Sequence, residues 1–139
     1  MLNPTRGILL GLLCLAVGSR VATAQAANRW LVLVNADPTI AVDTTTLTKN
    51  PEGFPRAWIR MTFQSAQGTG DTEYISTMVR TDFNCAKRQI NSAEIIEYAA
   101  SGDVVLNTKQ PHSLWIDVIP ETAGEQTLIA FCKTRFSRL

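Results

Sequence analysis

The sequence has little of what metal or nucleic-acid binding requires. Histidine occurs once, as His112, and there are three cysteines. Since a zinc site takes three or four Cys or His ligands, we expect neither a metal nor another cofactor. The sequence has 13 Lys and Arg and 12 Asp and Glu, so its charges nearly balance. Loss of Arg6 and Arg20 with an N-terminal leader would leave 11 basic and 12 acidic residues. A nucleic-acid-binding protein needs a basic excess, so nucleic acid is not an expected partner.

The sequence also has no apolar run of the roughly 20 residues that a transmembrane helix needs. Its longest run, residues 7–18, follows Arg6 and precedes the small-residue sites Ala22-Thr23-Ala24 and Ala24-Gln25-Ala26. That order is typical of a cleaved secretory signal. We predict a signal peptide over residues 1–26, export to the periplasm or the outer cell surface, and no transmembrane segment in the mature chain. Lipidation is not favoured, because Cys14 follows Leu13 inside the apolar run.

Removal of the leader leaves two cysteines, Cys85 and Cys132. An even pair in an oxidising compartment predicts one disulfide. Closing the loop between them restricts the unfolded chain, and the loop-entropy estimate for this stabilisation is about 4 kcal/mol.

The mature chain, residues 27–139, is long enough for one domain with a modest core. Between Arg56 and Gln64 the residues alternate, with Ala57, Ile59 and other apolar residues on one face, which predicts a half-buried strand. Strand and helix patterns compete over residues 87–100, and a strand is favoured. The expected strands cover residues 30–34, 39–42, 56–64, 74–85, part of 87–100, 104–106 and 112–119.

The C-terminal part has a helical pattern. Thr122 with Glu125 three residues later predicts a capping box, and Leu128 and Cys132 lie one turn apart on the apolar stripe. The disulfide would then join this helix to the end of the strand that contains Cys85. Three cations, Lys133, Arg135 and Arg138, are expected on the last helical turn or, alternatively, in a docking tail. The predicted fold class is α+β, an antiparallel sheet of about six strands with a C-terminal helix packed on it.

The order of these motifs resembles that of the surface-adhesin protein E family over nearly the whole mature chain. The resemblance implies an antiparallel sheet with a terminal helix and an envelope or surface location. In characterised members it also implies adhesion to host-cell and matrix components, sometimes as homodimers. The residues that support it are 30–34 (WLVLV), 41–47 (AVDTTTL), Trp58, 84–88 (NCAKR), Tyr98, 115–120 (WIDVIP), Phe131 and Cys132.

No arrangement of residues predicts catalysis. His112 and Ser113 are adjacent in a predicted strand, so their side chains should point to opposite faces rather than form a base and nucleophile pair. Gly68-Thr69-Gly70 lacks the lysine of a phosphate-binding loop and is predicted to be a hairpin loop. We therefore expect a protein that is not an enzyme, and a small hydrolase remains only as a minor alternative.

A binding surface is predicted around Trp58, because the strand alternation places it on the polar face between Arg56 and Arg60. An aromatic side chain flanked by guanidinium groups is a common contact surface. The alternative is that Trp58 packs beneath the helix or another layer, while Trp30 and Trp115 are assigned to the core or to dimer contacts. The predicted function is adhesin-like recognition of a protein partner, with a host or matrix protein as one candidate. The second hypothesis is a periplasmic module that binds a small ligand or an envelope partner.

Overall fold

The computed structural model describes residues 29–138. The predicted signal peptide, residues 1–26, lies outside the described residues. The described part contains one α-helix, α1, and two 3₁₀ turns at Gly70–Thr72 and Arg135–Arg138. Its strands are β1 (Trp30–Val34), β2 (Thr39–Asp43), β3 (Thr48–Lys49), β4 (Pro55–Gln67), β5 (Tyr74–Asn84), β6 (Gln89–Tyr98), β7 (Val104–Lys109) and β8 (Ile116–Asp117), and α1 is Ala123–Cys132.

The strands form one antiparallel sheet in the order β1-β2-β4-β5-β6-β7, with β3 paired to β4 and β8 paired to β6. This confirms the predicted α+β class, and the two short strands account for the difference from six. The strand predicted over residues 112–119 is reduced to β8, because the backbone N–H of Leu114 donates to the side chain of Asn91 instead of joining the ladder. No helix among residues 29–138 is long and apolar enough to cross a membrane.

The core lies between one face of the sheet and α1. The alternation predicted for β4 is confirmed, since Ala57 and Ile59 are fully buried. Cross-strand neighbours from β2 and β5 complete this layer, and Phe131 of α1 stacks on Phe83 with 3.8 Å between ring centroids. The buried cluster comprises Ile40, Val42, Ala57, Ile59, Phe83, Leu128 and Phe131.

The segment with competing helix and strand patterns is β6, as predicted. It pairs with β5 from Gln89 to Tyr98 and with β7 on its other side. The helix-forming residues in β6 adopt the strand conformation because hydrogen bonding and packing with both neighbouring strands outweigh their helix propensity. Differences in helix propensity are about a few tenths of a kcal/mol per residue.

The helix begins at the predicted position. The Thr122 hydroxyl accepts a hydrogen bond from the Glu125 N–H at 3.3 Å, and the Glu125 carboxylate accepts one from the N–H of Glu121 at 2.9 Å. The second bond differs from the usual capping box, in which the glutamate bonds the N-cap residue itself. Cys132, the last helical residue, forms the predicted disulfide with Cys85, with 5.8 Å between the Cα atoms.

The basic residues after the helix are placed differently from the prediction. Because α1 ends at Cys132, Lys133 is its C-cap, while Arg135 and Arg138 lie in the following 3₁₀ turn. The backbone N–H of Thr134 bonds the Phe131 carbonyl, which tightens the chain into a turn and ends the α-helix earlier than the pattern indicates.

Candidate functional site

The face of the sheet opposite α1 presents the predicted surface. Ala57 and Ile59 point into the core, so the alternating residues Arg56, Trp58 and Arg60 point the other way. All three are partly exposed. The alternative in which Trp58 packs beneath the helix is therefore wrong, because the helix covers the opposite face. We call Trp30, Arg56, Trp58, Arg60 and Arg80 the tryptophan–arginine face.

Arg60 contacts an aromatic ring that the sequence pattern did not connect to it. Its guanidinium carbon lies 4.2 Å from the centroid of the Trp30 ring. The buried Ala41 is opposite Arg60 in the strand between them and, being small, leaves room for this contact. Arg60 forms no ion pair among residues 29–138, and the 28 residues before them contain no Asp or Glu. Its charge is thus positioned by stacking, and no carboxylate among residues 29–138 neutralises it.

Trp30 also contacts a second cation, Arg29, at 5.5 Å. Arg29 donates to the fully buried carboxylate of Asp43 at 2.6 Å and 2.8 Å. Burial by itself would raise the pKa of Asp43, but the hydrogen bonds from Arg29 and Thr45 hold it below its ordinary value. The bonds from Thr45 to Asp43 cap the turn that follows β2.

Trp58 has a cationic neighbour on the next strand. Arg80 is its cross-strand partner in β5, and the guanidinium carbon lies 5.9 Å from the Trp58 ring centroid. Arg80 also lies 3.4 Å from the carboxylate of Glu94, which is 3.5 Å from Lys109. Trp58, Arg80, Glu94 and Lys109 are thus cross-strand neighbours on β4, β5, β6 and β7. Arg80 and Lys109 share the carboxylate of Glu94.

Arg56 differs from Arg60 and Arg80 because its guanidinium forms a two-bond ion pair with a buried carboxylate. Its Nε and Nη2 donate to the two oxygens of Asp82 at 2.5 Å and 3.0 Å. Asn50 and Asn91 donate to the same buried carboxylate. Burial by itself would raise the pKa of Asp82, but these hydrogen bonds together hold the pKa below its ordinary value. Arg56 thus supports the fold, while Trp58 and Arg60 present accessible groups.

A polar cavity of about 220 Å³ opens beside Arg56 and Arg80. Its other wall is the loop formed by residues 110–113, of which the predicted strand over residues 112–119 included only the last two. We call it the Arg80 cavity. Only the tertiary structure places this loop over the sheet, so the sequence contained no signal for the cavity. His112 and Ser113 both line it, but they share no hydrogen bond, and Ser113 instead accepts from Asn91 at 3.3 Å.

A larger and less polar groove lies at the opposite edge of the sheet. It has a volume of about 480 Å³ and lies between β1 and α1, with Leu31, Val32 and Ile129 among its exposed apolar residues. We call it the β1–α1 groove. β1 is an end strand, so its outer edge has no strand partner among residues 29–138.

The remaining predicted residues are peripheral to these surfaces. Gly68-Thr69-Gly70 is the turn between β4 and β5, as expected, and Gly68 has a φ of +79°. Trp115 packs edge-on against Phe54 at 4.8 Å and donates to Glu52 at 2.9 Å. Neither Trp115 nor Trp30 belongs to the buried cluster. Of the two predicted assignments, the core is therefore wrong, and dimer contacts stay a prediction. Among residues 29–138 no three Cys, His, Asp or Glu side chains are grouped so that they could hold a metal ion.

Comparison with known proteins agrees with this architecture. The sequence profile of the surface-adhesin protein E family matches residues 30–133. The chain belongs to this family. Two crystal structures of Haemophilus influenzae protein E, one of them crystal form II, superpose with TM-scores of 0.53 and 0.51 at 11% identity. The first alignment covers 81% of this chain and 89% of the protein E chain, and the second covers 76% and 88%.

At 11% identity these structures establish the shared fold of this adhesin E family member and nothing about its contacts. No curated protein matches the chain. The residues of the tryptophan–arginine face therefore have to be interpreted from their own geometry.

Proposed function

We propose that this adhesin E family member is an exported, non-catalytic binding protein that recognises a protein partner at the bacterial envelope through the tryptophan–arginine face. The principal observation is the contact of Arg60 with Trp30, on the face that α1 leaves uncovered. The guanidinium that it presents has no carboxylate partner in the described part of the chain. Indole and guanidinium groups dominate the binding energy of many protein interfaces. The family match supports an adhesin-like role.

Solid-phase binding to extracellular-matrix proteins, with albumin as the baseline, tests this function. We expect the double variant Trp58→Ala, Arg60→Ala to lose roughly 90% or more of specific binding, because each side chain at a contact centre contributes about 1 kcal/mol or more. The matched control is Ile119→Ala, Arg138→Ala, which removes one exposed apolar side chain and one exposed cation elsewhere. Binding of the unmodified protein no stronger than to albumin would contradict the proposal.

The cellular location of the protein can be tested separately. We propose that the signal peptide is residues 1–26, that the mature domain is residues 27–139 and that the domain is exposed on the outer cell surface. Protease treatment of intact cells should then remove the protein while a known periplasmic control survives. Survival of both proteins would place it in the periplasm and remove the host-contact part of the proposal.

The second hypothesis, a periplasmic module for a small ligand, is favoured by the β1–α1 groove, because its volume of about 480 Å³ suits a small apolar molecule. Replacing Ile129 with Lys would place a charge in this groove without touching the tryptophan–arginine face. An apolar ligand that co-purifies with the unmodified protein and is lost from Ile129→Lys would support this hypothesis.

We also propose a homodimer that pairs two copies of β1 along its free edge, since an unpaired edge strand is a template for a further strand. Light scattering at several concentrations should give twice the monomer mass. Replacing Val32, which is exposed on β1, with Pro should return the monomer.

A further inference from the structure

Arg60 lies in an otherwise apolar row that crosses the sheet. The strand register places its neighbours side by side on β1, β2, β5 and β6, and with Arg60 the row is Val32, Ala41, Arg60, Met78 and Ile96. We call these residues the Arg60 row. Ala41 is buried, and the other members are at least partly exposed on the face that α1 leaves uncovered. The row therefore presents one cation among apolar side chains.

The guanidinium of Arg60 is open to a partner. It forms no ion pair and no hydrogen bond with another residue between 29 and 138. Among these residues the buried side-chain nitrogen without a partner is the Nε of Arg80, so the nitrogens of Arg60 keep accessible surface. Arginine stacks on an aromatic ring through its planar face, while its N–H groups remain able to bond a carboxylate at two points. The contact with Trp30 is thus compatible with an acceptor at the N–H groups.

The charges near the Arg60 row leave this guanidinium uncompensated. In the strand register the nearest carboxylates are Asp43 and Glu94. Asp43 is paired with Arg29, and Glu94 lies between Arg80 and Lys109. Glu52 lines the Arg80 cavity, and Arg60 does not.

The count over the described part of this face gives the same sign. With Glu52 included, the cations exceed the carboxylates by one, the two sets being Arg29, Arg56, Arg60, Arg80 and Lys109, and Asp43, Asp82, Glu94 and Glu52. The face therefore favours a partner with negative charge at Arg60.

A carboxylate suits this position better than the other common anions. One unpaired guanidinium offers one positive charge, and a side-chain carboxylate has one negative charge. A phosphate group carries about −1.5 to −2 charges at neutral pH, and proteins recognise it with clusters of arginine. A sulfated polysaccharide would need several unpaired cations along its length.

The apolar members of the row favour an apolar group next to that carboxylate. Met78 is the cross-strand partner of Arg60, and Ile96 is the partner of Met78. Neighbouring strands lie about 4.8 Å apart, so both side chains are within reach of a residue that follows or precedes the acidic one. Apolar cover of this kind excludes water, and an ion pair is stronger where water is excluded.

We propose that the Arg60 row receives an acidic side chain of a protein partner. The carboxylate accepts two hydrogen bonds from the guanidinium of Arg60, and an adjacent apolar side chain of the partner covers Met78 and Ile96. This inference rests on the proposed function, because it specifies the chemistry of the partner that the tryptophan–arginine face binds.

Side-chain NMR of the ¹⁵N- and methyl-labelled protein tests the site with three short peptides blocked at both ends. The probe is leucine-glutamate-leucine, and the controls are leucine-glutamine-leucine and serine-glutamate-serine. We expect the probe to shift the Arg60 Nε–Hε and Met78 methyl signals saturably. The glutamine peptide should bind about tenfold more weakly or worse, because hydrogen bonds to a charged acceptor are lost, and the serine peptide several-fold more weakly.

Three results would overturn the assignment. They are the absence of a saturable shift, equal binding of the glutamate and glutamine peptides, and saturation by inorganic phosphate at a lower concentration than by the probe. Equal binding of the leucine and serine peptides would show that the apolar part of the proposal is wrong.

Variants separate the site from general charge effects. Arg60→Gln should abolish the preference for glutamate over glutamine, whereas Arg138→Gln removes an exposed cation behind α1 and should preserve it. Met78→Thr should weaken the leucine peptide several-fold and leave the serine peptide unchanged, since threonine suits a strand but is shorter and more polar. If Arg60→Gln does not fold, the three peptides on the unmodified protein still decide the result.

Failure of this inference is distinguishable from failure of the proposed function. If Trp58→Ala, Arg60→Ala abolishes matrix-protein binding while the unmodified protein does not distinguish glutamate from glutamine, the carboxylate assignment is wrong and the proposed function is supported. If the probe binds at Arg60 as expected but no matrix protein binds above the albumin baseline, the carboxylate assignment is supported and the proposed recognition of matrix proteins is wrong.

Discussion

The guanidinium of Arg60 lies over the indole ring of Trp30, 4.2 Å from its centroid, although the two residues are thirty positions apart in the sequence. The contact crosses β2 diagonally, since Trp30 is opposite Asp43 of β2 and Arg60 is opposite Ala41. It holds a partly exposed cation in one position without neutralising its charge. A partner would therefore meet a positioned guanidinium, which reduces the entropy lost on binding.

Replacing Trp30 with Leu should weaken partner binding while leaving the fold nearly unchanged. The apolar bulk remains, but the cation–π contact, worth about 0.5–1 kcal/mol at exposed sites, is lost and Arg60 becomes free to move. Urea unfolding and solid-phase binding measured on the same variant separate the two effects. The matched control is Trp115→Leu, which removes an indole that does not touch Arg60. Equal losses of binding in both variants would contradict this role of Trp30.

Removing the carboxylate of Asp82 should be strongly destabilising. Asp82→Ala would leave Arg56 and the amides of Asn50 and Asn91 without their acceptor, and breaking a buried pair in this way costs about 3–5 kcal/mol. The free energy of unfolding in urea measures the loss. Asp71→Ala, at an exposed position in a 3₁₀ turn, is the control and should stay within about 0.5 kcal/mol. A loss below about 1 kcal/mol in Asp82→Ala would show that the cluster contributes little, because ordinary surface changes are that small.

The same carboxylate predicts how stability responds to acid. Hydrogen bonds hold the pKa of Asp82 in the folded state below that of the unfolded chain, which is about 3.9. Its contribution is therefore fully present above about pH 4 and is lost as the pH falls through the folded-state pKa. We expect the free energy of unfolding to fall on acidification below this point, and to fall less steeply in Asp82→Asn. Asp43 has a lowered pKa as well, so part of the slope should remain in that variant.

The disulfide should contribute a large share of the stability. Cys85 and Cys132 are 47 positions apart, and cross-linking a loop of this length stabilises the folded state by about 4 kcal/mol on the chain-entropy estimate. Cys85→Ala, Cys132→Ala should lose up to that amount in urea unfolding, since both small side chains fit without strain. Thiol titration of the unmodified protein should give no free thiol. Two reactive thiols in the native protein would rule out the bridge.

Several features could be predicted from the sequence because they depend on local order. The alternation in β4, the Thr122 cap of α1 and the pairing of Cys85 with Cys132 each follow from residues close in sequence or from a count. The end of the helix was predicted less well. The turn after Cys132 depends on the bond from Thr134 to Phe131, which competes with continued helix and leaves no periodic signal.

The sequence by itself therefore determined the α+β class, the disulfide and the polar face that presents Trp58 and Arg60, because strand alternation assigns neighbouring residues to opposite faces. Only the tertiary structure decided which groups meet on that face. Arg60 meets Trp30, and Arg80 lines a cavity beneath Ser113, through strand register and a loop position. Register depends on the packing of the whole sheet, so no single segment of the sequence specifies these contacts.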